Sequence, residues 1–347
     1  LRSDQGHALA DVCSEIAKTR TGNWIGYVAY DCGRLFEELP ALAREDVSIP
    51  GFAFMHFDAA GESAISSTQS ISSSASTLQS TFTRDEYLDA VGRILEYIRA
   101  GDVYQINLSQ RFTAPLCTEP WTVFQRLEER SPAKFAAYLD FGDFQIISNS
   151  PELFVRVTPD RHIITRPIKG TRRRGPGMEQ ELRASEKDQA ELAMIVDLCR
   201  NDLGRVCEIG SVRVVEARVI EEHPTVYHGV ASIAGKLRDG VGLFDILRAA
   251  FPPGSVTGAP KIRAMQIIDE IEPVRRGPYC GAIGRISADG LMQFSVAIRT
   301  MIVKDGQVHI PVGGGIVADS DPAAEYDETL VKARAMFDAV GLTTGEP

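Results

Sequence analysis

Between Phe135 and Thr165, four short β-rich segments (135–140, 144–148, 153–157 and 162–165) follow one another with only turn residues between them. A parallel crossover needs a dozen or more residues, so segments this close together can pair only antiparallel. The pattern returns near the C-terminus, where 279–287 and 291–303 flank the turn Ala288-Asp289-Gly290 as a hairpin and 307–312 follows Asp305-Gly306. Helices separate these groups. Thr83 and Glu86 form a capping box opening a helix with apolar residues at Tyr87, Leu88, Val91, Ile94, Leu95 and Ile98, closed by Gly101. Further helices are predicted at about 185–200, 243–250, 260–271 and 322–340, the last stopped by Gly341. Strands in antiparallel groups with helices between them predict one large α+β domain and not a βαβ array. Ahead of it, 1–58 mixes a short helical stretch with the apolar run 24–30, and the Ser/Thr-rich tract 61–81 reads as a mobile loop or linker.

Charge and composition narrow the partners. Across 347 residues, 37 Lys+Arg stand against 47 Asp+Glu, a net charge of -10, which disfavours a general nucleic-acid or anionic-membrane binder. No apolar run approaches the ~18 residues of a bilayer span and the start shows no secretory pattern, so a soluble, cytoplasmic protein with small-molecule or protein partners is expected. The opening on Leu1 instead of Met fits a fragment or a trimmed chain. The six cysteines form no CxxC pair and indicate neither a thiolate metal site nor a redox motif.

Several constellations carry chemistry, each with a plainer reading beside it. Over 103–112, Tyr104, Ile106, Leu108 and Phe112 point one way and Gln105, Asn107, Ser109 and Arg111 the other, so the polar face is either solvated or the floor of a polar cleft. Asp188 and Glu191 lie three apart on one helix, and Glu325 and Glu328 repeat that spacing on the last, with Lys332 a turn further on. Two such acidic pairs suit Mg²⁺, and equally suit a solvated acidic face. Gly313-Gly314-Gly315, between a strand and the final helix, offers backbone N–H groups to an anion or is a tight turn. The segment from Ser255 through Thr257 to Lys261 is an anion site at a helix N-terminus or a plain cap. Lys169, in Pro167-Ile168-Lys169-Gly170-Thr171 at the end of a strand, is a nucleophile if desolvated, or a surface lysine before Arg172-Arg173-Arg174. His223 and His228 are too far apart for a one-turn metal pair.

The order and wording of seven stretches resemble the chorismate-utilising enzymes, and within them the aminodeoxychorismate-forming branch. These stretches are 101–108, Ser150-Pro151-Glu152, 167–171, 194–202, 251–264, 279–284 and 313–328, and the resemblance spans roughly 22–340. It implies two packed, mostly antiparallel sheets flanked by helices, with 1–60 an N-terminal remnant on the sandwich, 61–82 a Ser-rich loop and 83–343 the chorismate-binding catalytic domain. Members typically carry further strands before the stretch matching 24–40, including part of a tryptophan pocket. The resemblance further implies Mg²⁺ on Glu191 and Glu328 with Asp188 and Glu325 nearby. Thr257, Tyr279, Arg299, Lys332, Gly314 and Gly315 would hold the substrate carboxylates, and His228 would lie beside the ring.

Two positions set the branch. Relatives that add water carry Lys where Gln105 stands, because water needs a general base and ammonia does not. The anthranilate-forming branch typically has Ala where Lys169 stands. The implied mechanism has Lys169 attack the ring covalently, with Glu152 as general acid, before ammonia displaces the lysine. Nothing in the chain resembles a glutamine amidotransferase, so a separate subunit supplying ammonia is implied. Anthranilate synthase component I is the neighbouring alternative, and chorismate binding without turnover a further one. Arg285 stands where relatives often show Tyr, with no functional account.

Overall fold

The computed structural model describes residues 1–58 and 78–342. α1 (Leu9–Lys18) precedes β1 (Asn23–Val28) and β2 (Phe52–Phe57); β3 (Gln79–Ser80), α2 (Arg84–Arg99) and β4 (Gln105–Pro115) follow. After α3 (Pro120–Arg130) come β5 (Phe135–Asp140), β6 (Phe144–Ser150), β7 (Leu153–Val157), β8 (His162–Arg166) and β9 (Ile168–Arg173). Helices α4 (Met178–Ala184) and α5 (Glu186–Gly204) lead to the hairpin β10 (Arg213–Glu222) and β11 (Val226–Lys236). Then come α6 (Leu243–Ala250), β12 (Gly258–Ala259), α7 (Lys261–Ile271), β13 (Ala282–Ser287), β14 (Met292–Val296), β15 (Thr300–Lys304), β16 (Gln307–Ile316) and α8 (Pro322–Val340).

Two antiparallel sheets form the α+β fold expected. One runs β10-β11-β8-β7-β14-β13-β1-β2 with β9 also on β11; the other runs β12-β4-β16-β15-β6-β5 with β3 on β4. Their inner faces meet where Tyr27, Ala53 and Ile283 of the first sheet pack on Leu139, Phe144 and Ile146 of the second. Outside the second sheet, α8 and α3 cover the other face, with Phe337 edge-on to Phe112 at 5.1 Å. α8 starts where Asp321 caps it and Pro322 fits the first turn, and ends at Gly341 in the left-handed region. The capping box of α2 is present in full, Thr83 and Glu86 each accepting from the other's backbone N–H. Among the described residues no helix is long and apolar enough to cross a membrane.

Four expectations need correction. The segment 291–303 is not one strand: β14 ends at Val296, the chain passes to the other sheet through Ala297-Ile298-Arg299, and β15 begins at Thr300. Arg299 takes φ 50°, a left-handed conformation that stops strand pairing there. Residues 279–281 precede β13 instead of belonging to it, with Cys280 at φ 62°. Gly313-Gly314-Gly315 lie inside β16 and not in a turn, because β4 continues to offer pairing partners as far as Ile106. Lys169 sits within a strand, since the chain resumes pairing with β11 after the break at Pro167. Residues 59–77, most of the expected Ser-rich loop, lie outside the described residues.

Candidate active site

The chain changes sheets twice in adjacent places, and both crossings carry a site residue. Between β6 and β7 the crossing is Pro151-Glu152; between β14 and β15 it contains Arg299. The two are tied together: Val296 N–H donates to Glu152 O at 3.0 Å, Ser150 Oγ to Val296 O at 2.6 Å, and Asn149 N–H to Arg299 O at 3.0 Å. A strand residue points to one face or the other; a crossing residue can look along the gap between sheets. Glu152 and Arg299 thus both stand where the chain passes between the sheets.

Glu152 is 4% exposed. Burial pushes its carboxyl up to about 7, against the opposing pull of a Ser255 hydrogen bond, the nearby Lys169 charge and the Ile168 N–H. Lys169 is lowered by desolvation, opposed by the attraction of Glu191 and reinforced by the repulsion of Lys332. Each group is moved toward its neutral form, the direction that suits a proton donor and an amine nucleophile.

Lys169 projects over Gly315. A β-carbon at Gly315 would lie 2.3 Å from Gln105 Nε2 and 3.3 Å from Lys169 Nζ, so only glycine leaves room for both. Gln105 is 2% exposed, which settles the polar face of β4 as buried, with Asn107 and Ser109. Its Oε1 has no hydrogen-bond partner, an acceptor aimed at nothing in the protein. Tyr104, expected on the apolar face, instead precedes the strand and is exposed.

Next to it, Gly314 underlies the carboxylates. A β-carbon there would lie 3.2 Å from Glu325 Oε2, 3.8 Å from Lys332 Nζ and 3.9 Å from Glu328 Oε1. Glu325 is raised, burial first, with Glu328 adding to the shift; Glu191 is raised by burial, with Asp188 and Glu328 adding. Glu328 is lowered by Lys332, whose Nζ is 2.6 Å from Oε1 and also donates to Gly313 O. Asp188 is engaged by Arg172 at 3.1 Å, and Lys187 stands 3.9 Å from Glu325. Among the described residues no three His, Cys, Asp or Glu side chains surround one point closely enough to hold a metal ion.

His228 faces Thr171 across β11 and β9, its Nδ1 2.8 Å from Thr171 Oγ1. Burial, with the charges of Arg299 and His223, drives its pKa down to about 3, so the imidazole is neutral and a poor base. Arg299 has its charge disfavoured by burial and makes no ion pair among the described residues, a bare cation in the cleft. Tyr279 is buried and its hydroxyl raised by that burial. Thr257 is fully buried and donates to Pro253 O and Gly254 O, whereas Ser255, two residues earlier in the 3₁₀ turn Gly254–Val256, lines one cavity with Glu152 and favours its charged form. The hairpin of β10 and β11, which carries His228, escaped the sequence reading, although Val226–Lys236 is rich in β-formers.

Comparison with known proteins agrees with this geometry. Residues 2–338 match the chorismate binding enzyme family. Anthranilate synthase component 1 of Pseudomonas putida is 47% identical over 270 residues, 76% of this chain and 55% of that protein. Aminodeoxychorismate synthase component 1 of Escherichia coli (strain K12) is 42% identical over 346 residues, 91% of this chain and 76% of that protein. The crystal structure of anthranilate synthase component I from Streptococcus pneumoniae TIGR4 superposes with a TM-score of 0.85 at 31% identity, covering 95% of this chain and 85% of that one. The chain thus spans little more than half the length of the first of these curated relatives. With a family match over nearly its whole length, and with sheets, crossings and cleft to suit, the chain belongs to the chorismate binding enzymes.

Proposed function

We propose that the chain converts chorismate and ammonia to 4-amino-4-deoxychorismate, the precursor of 4-aminobenzoate and folate. The observation that carries this reading is Lys169 beside Glu152, each shifted toward the neutral form. Neutral Lys169 forms a bond from Nζ to ring carbon 2 while both conjugated ring double bonds shift and the bond from carbon 4 to its hydroxyl breaks. Glu152 gives its proton to that oxygen, which leaves as water. Ammonia then bonds to carbon 4, the bond from carbon 2 to nitrogen breaks, and its electron pair returns to Lys169 as neutral amine. The new carbon 4 ammonium passes a proton to Glu152, restoring the starting state.

Gln105 replaces a base with an uncharged acceptor, which suits a nucleophile that needs no deprotonation. Arg299 suits a substrate carboxylate in a bidentate, charge-assisted grip. Oxygen donors from Glu191 and Glu328, with Glu325 over the space at Gly314, suit Mg²⁺, which is commonly held by one or two carboxylates plus water and substrate. When bound, Mg²⁺ anchors the ring carboxylate and stabilises developing charge. Ammonia would come from a glutamine amidotransferase subunit.

A second reading, anthranilate formation, is favoured by the 47% identity to anthranilate synthase component 1 over 76% of this chain. Incubating the chain with chorismate, Mg²⁺ and ammonium, with products read by chromatography and mass spectrometry, separates the two. Aminodeoxychorismate without pyruvate is expected; anthranilate with pyruvate would move the chain to the neighbouring reaction. Lys169→Ala is expected to abolish turnover, and an unchanged rate would rule out the covalent lysine.

A further inference from the structure

The proposed reaction leaves unused a second buried lysine–carboxylate pair on the far side of Glu152. Lys261 Nζ donates to Asp202 Oδ2 at 2.7 Å and to Ala250 O at 2.8 Å, with the two side chains only 12% and 8% exposed. Lys261 opens α7, where the helix dipole disfavours a cation, so the contacts to Asp202 of α5 and to the last carbonyl of α6 hold it there. One ammonium thereby joins the ends of three helices and closes the segment 251–260. That segment carries Ser255, which lines one cavity with Glu152, and Ala259, which pairs with Gln105.

Asp202 and Glu152 also share a cavity of about 20 Å³, with Thr165, Cys199 and Ser255 among its lining. Its lining is mixed, apolar side chains around Glu152, Asp202, Thr165 and Ser255, and it is roomy enough for one water. We propose that the Asp202–Lys261 pair is a positioning device for Glu152, holding the segment of Ser255 against its carboxyl and closing the cavity behind it. The groups facing Glu152 are then Lys169 and the Ile168 N–H from β9, Ser255 from the segment before α7, Thr165 from β8, and Cys199 and Asp202 from α5, with Lys261 behind Asp202. Asp202 is itself raised by burial, with Lys261 opposing, as a carboxylate out of reach of bulk water would be.

The inference rests on the proposed role of Glu152 as acid, and its test keeps the two apart. Lys261→Met, Lys261→Arg and Asp202→Asn are compared in the full chain by kcat and KM for chorismate, and by infrared titration of the Glu152 carboxyl against Glu152→Gln, which needs no turnover. Lys261→Met is expected to lower kcat about 10- to 100-fold with KM changed less than about threefold, as for a misplaced catalytic group. It is also expected to move the Glu152 midpoint up, because a cation is lost; Asp202→Asn moves it down, and Lys261→Arg restores both readouts. General loosening would hydrate Glu152 and move both midpoints down together. That result, or no movement in folded variants, would overturn the proposal. Should Lys261→Met not fold, Lys261→Gln removes the charge while keeping a hydrogen-bond donor; its midpoint is expected to move up, and a downward movement would overturn the proposal. If the unaltered chain does not turn over chorismate, the proposed reaction fails while the infrared titration still tests the positioning.

Discussion

Two buried acid–base couples, Glu272–Arg276 and Glu152–Lys169, behave in opposite ways. Arg276 donates to both oxygens of Glu272 at 2.6 and 2.9 Å, to Val256 O at 2.9 Å and to Asn107 O at 2.6 Å, and lies over the Tyr30 ring. Glu272 Oε1 further accepts from the Ser109 N–H and hydroxyl. Burial works against the guanidinium, yet the Glu272 carboxylate prevails and holds the Arg276 pKa well above its usual value. Around Glu152 and Lys169 partners are fewer, burial prevails, and both groups shift toward neutrality. A buried pair held by many hydrogen bonds fixes structure; one left short of partners stores reactivity.

Removing the reactive acid should have a large effect on turnover, second only to the loss of Lys169. Glu152→Gln is expected to lower kcat by roughly 10²–10⁴-fold, the usual contribution of a general acid, while thermal unfolding stays near that of the unaltered chain; a large loss of stability instead would make Glu152 a structural group. Arg276→Met should do the reverse, costing about 3–5 kcal/mol in urea unfolding because Glu272 is left buried and unpaired. A cost near zero would dissolve the distinction between the pairs.

The same contrast has a pH signature. Because the folded pKa of Glu152 is raised to about 7, the folded state holds its proton more tightly than the unfolded state does. Its contribution to stability is full below the ordinary carboxyl range and is lost as pH rises through about 7, the same rise that removes the acid from catalysis. Unfolding measured from pH 4 to 8 should therefore fall less steeply in Glu152→Gln, and parallel curves would count against the buried acid. Smallest of all is an exposed pair. Thr83→Ala, which breaks the reciprocal cap with Glu86, should cost about 1 kcal/mol in thermal unfolding and leave kcat alone.

How far the site was legible depends on how local each signal is. Period and punctuation located α2, α6 and α8 and the strands from β5 to β8, because capping, glycine stops and alternation act within a few residues. Residue type pointed to Lys169 and Glu152, since seven short stretches resembled one family. The sheet switch at Arg299 escaped, because a strand of suitable residues gives no sign of which sheet it will join. So did the placing of Ser255 beside Glu152, which depends on how a turn between two helices is closed.

By itself, then, the sequence determined the kinds of element, their order and the chemical groups available, because propensity and periodicity are properties of neighbours along the chain. Tertiary structure alone decided that the polar face of β4 is buried, that Asp188 is taken by Arg172, and that Glu152 and Lys169 meet away from water. Those outcomes rest on pairing and desolvation between residues far apart in sequence, and a carboxylate or an amine acquires its working pKa only from such surroundings.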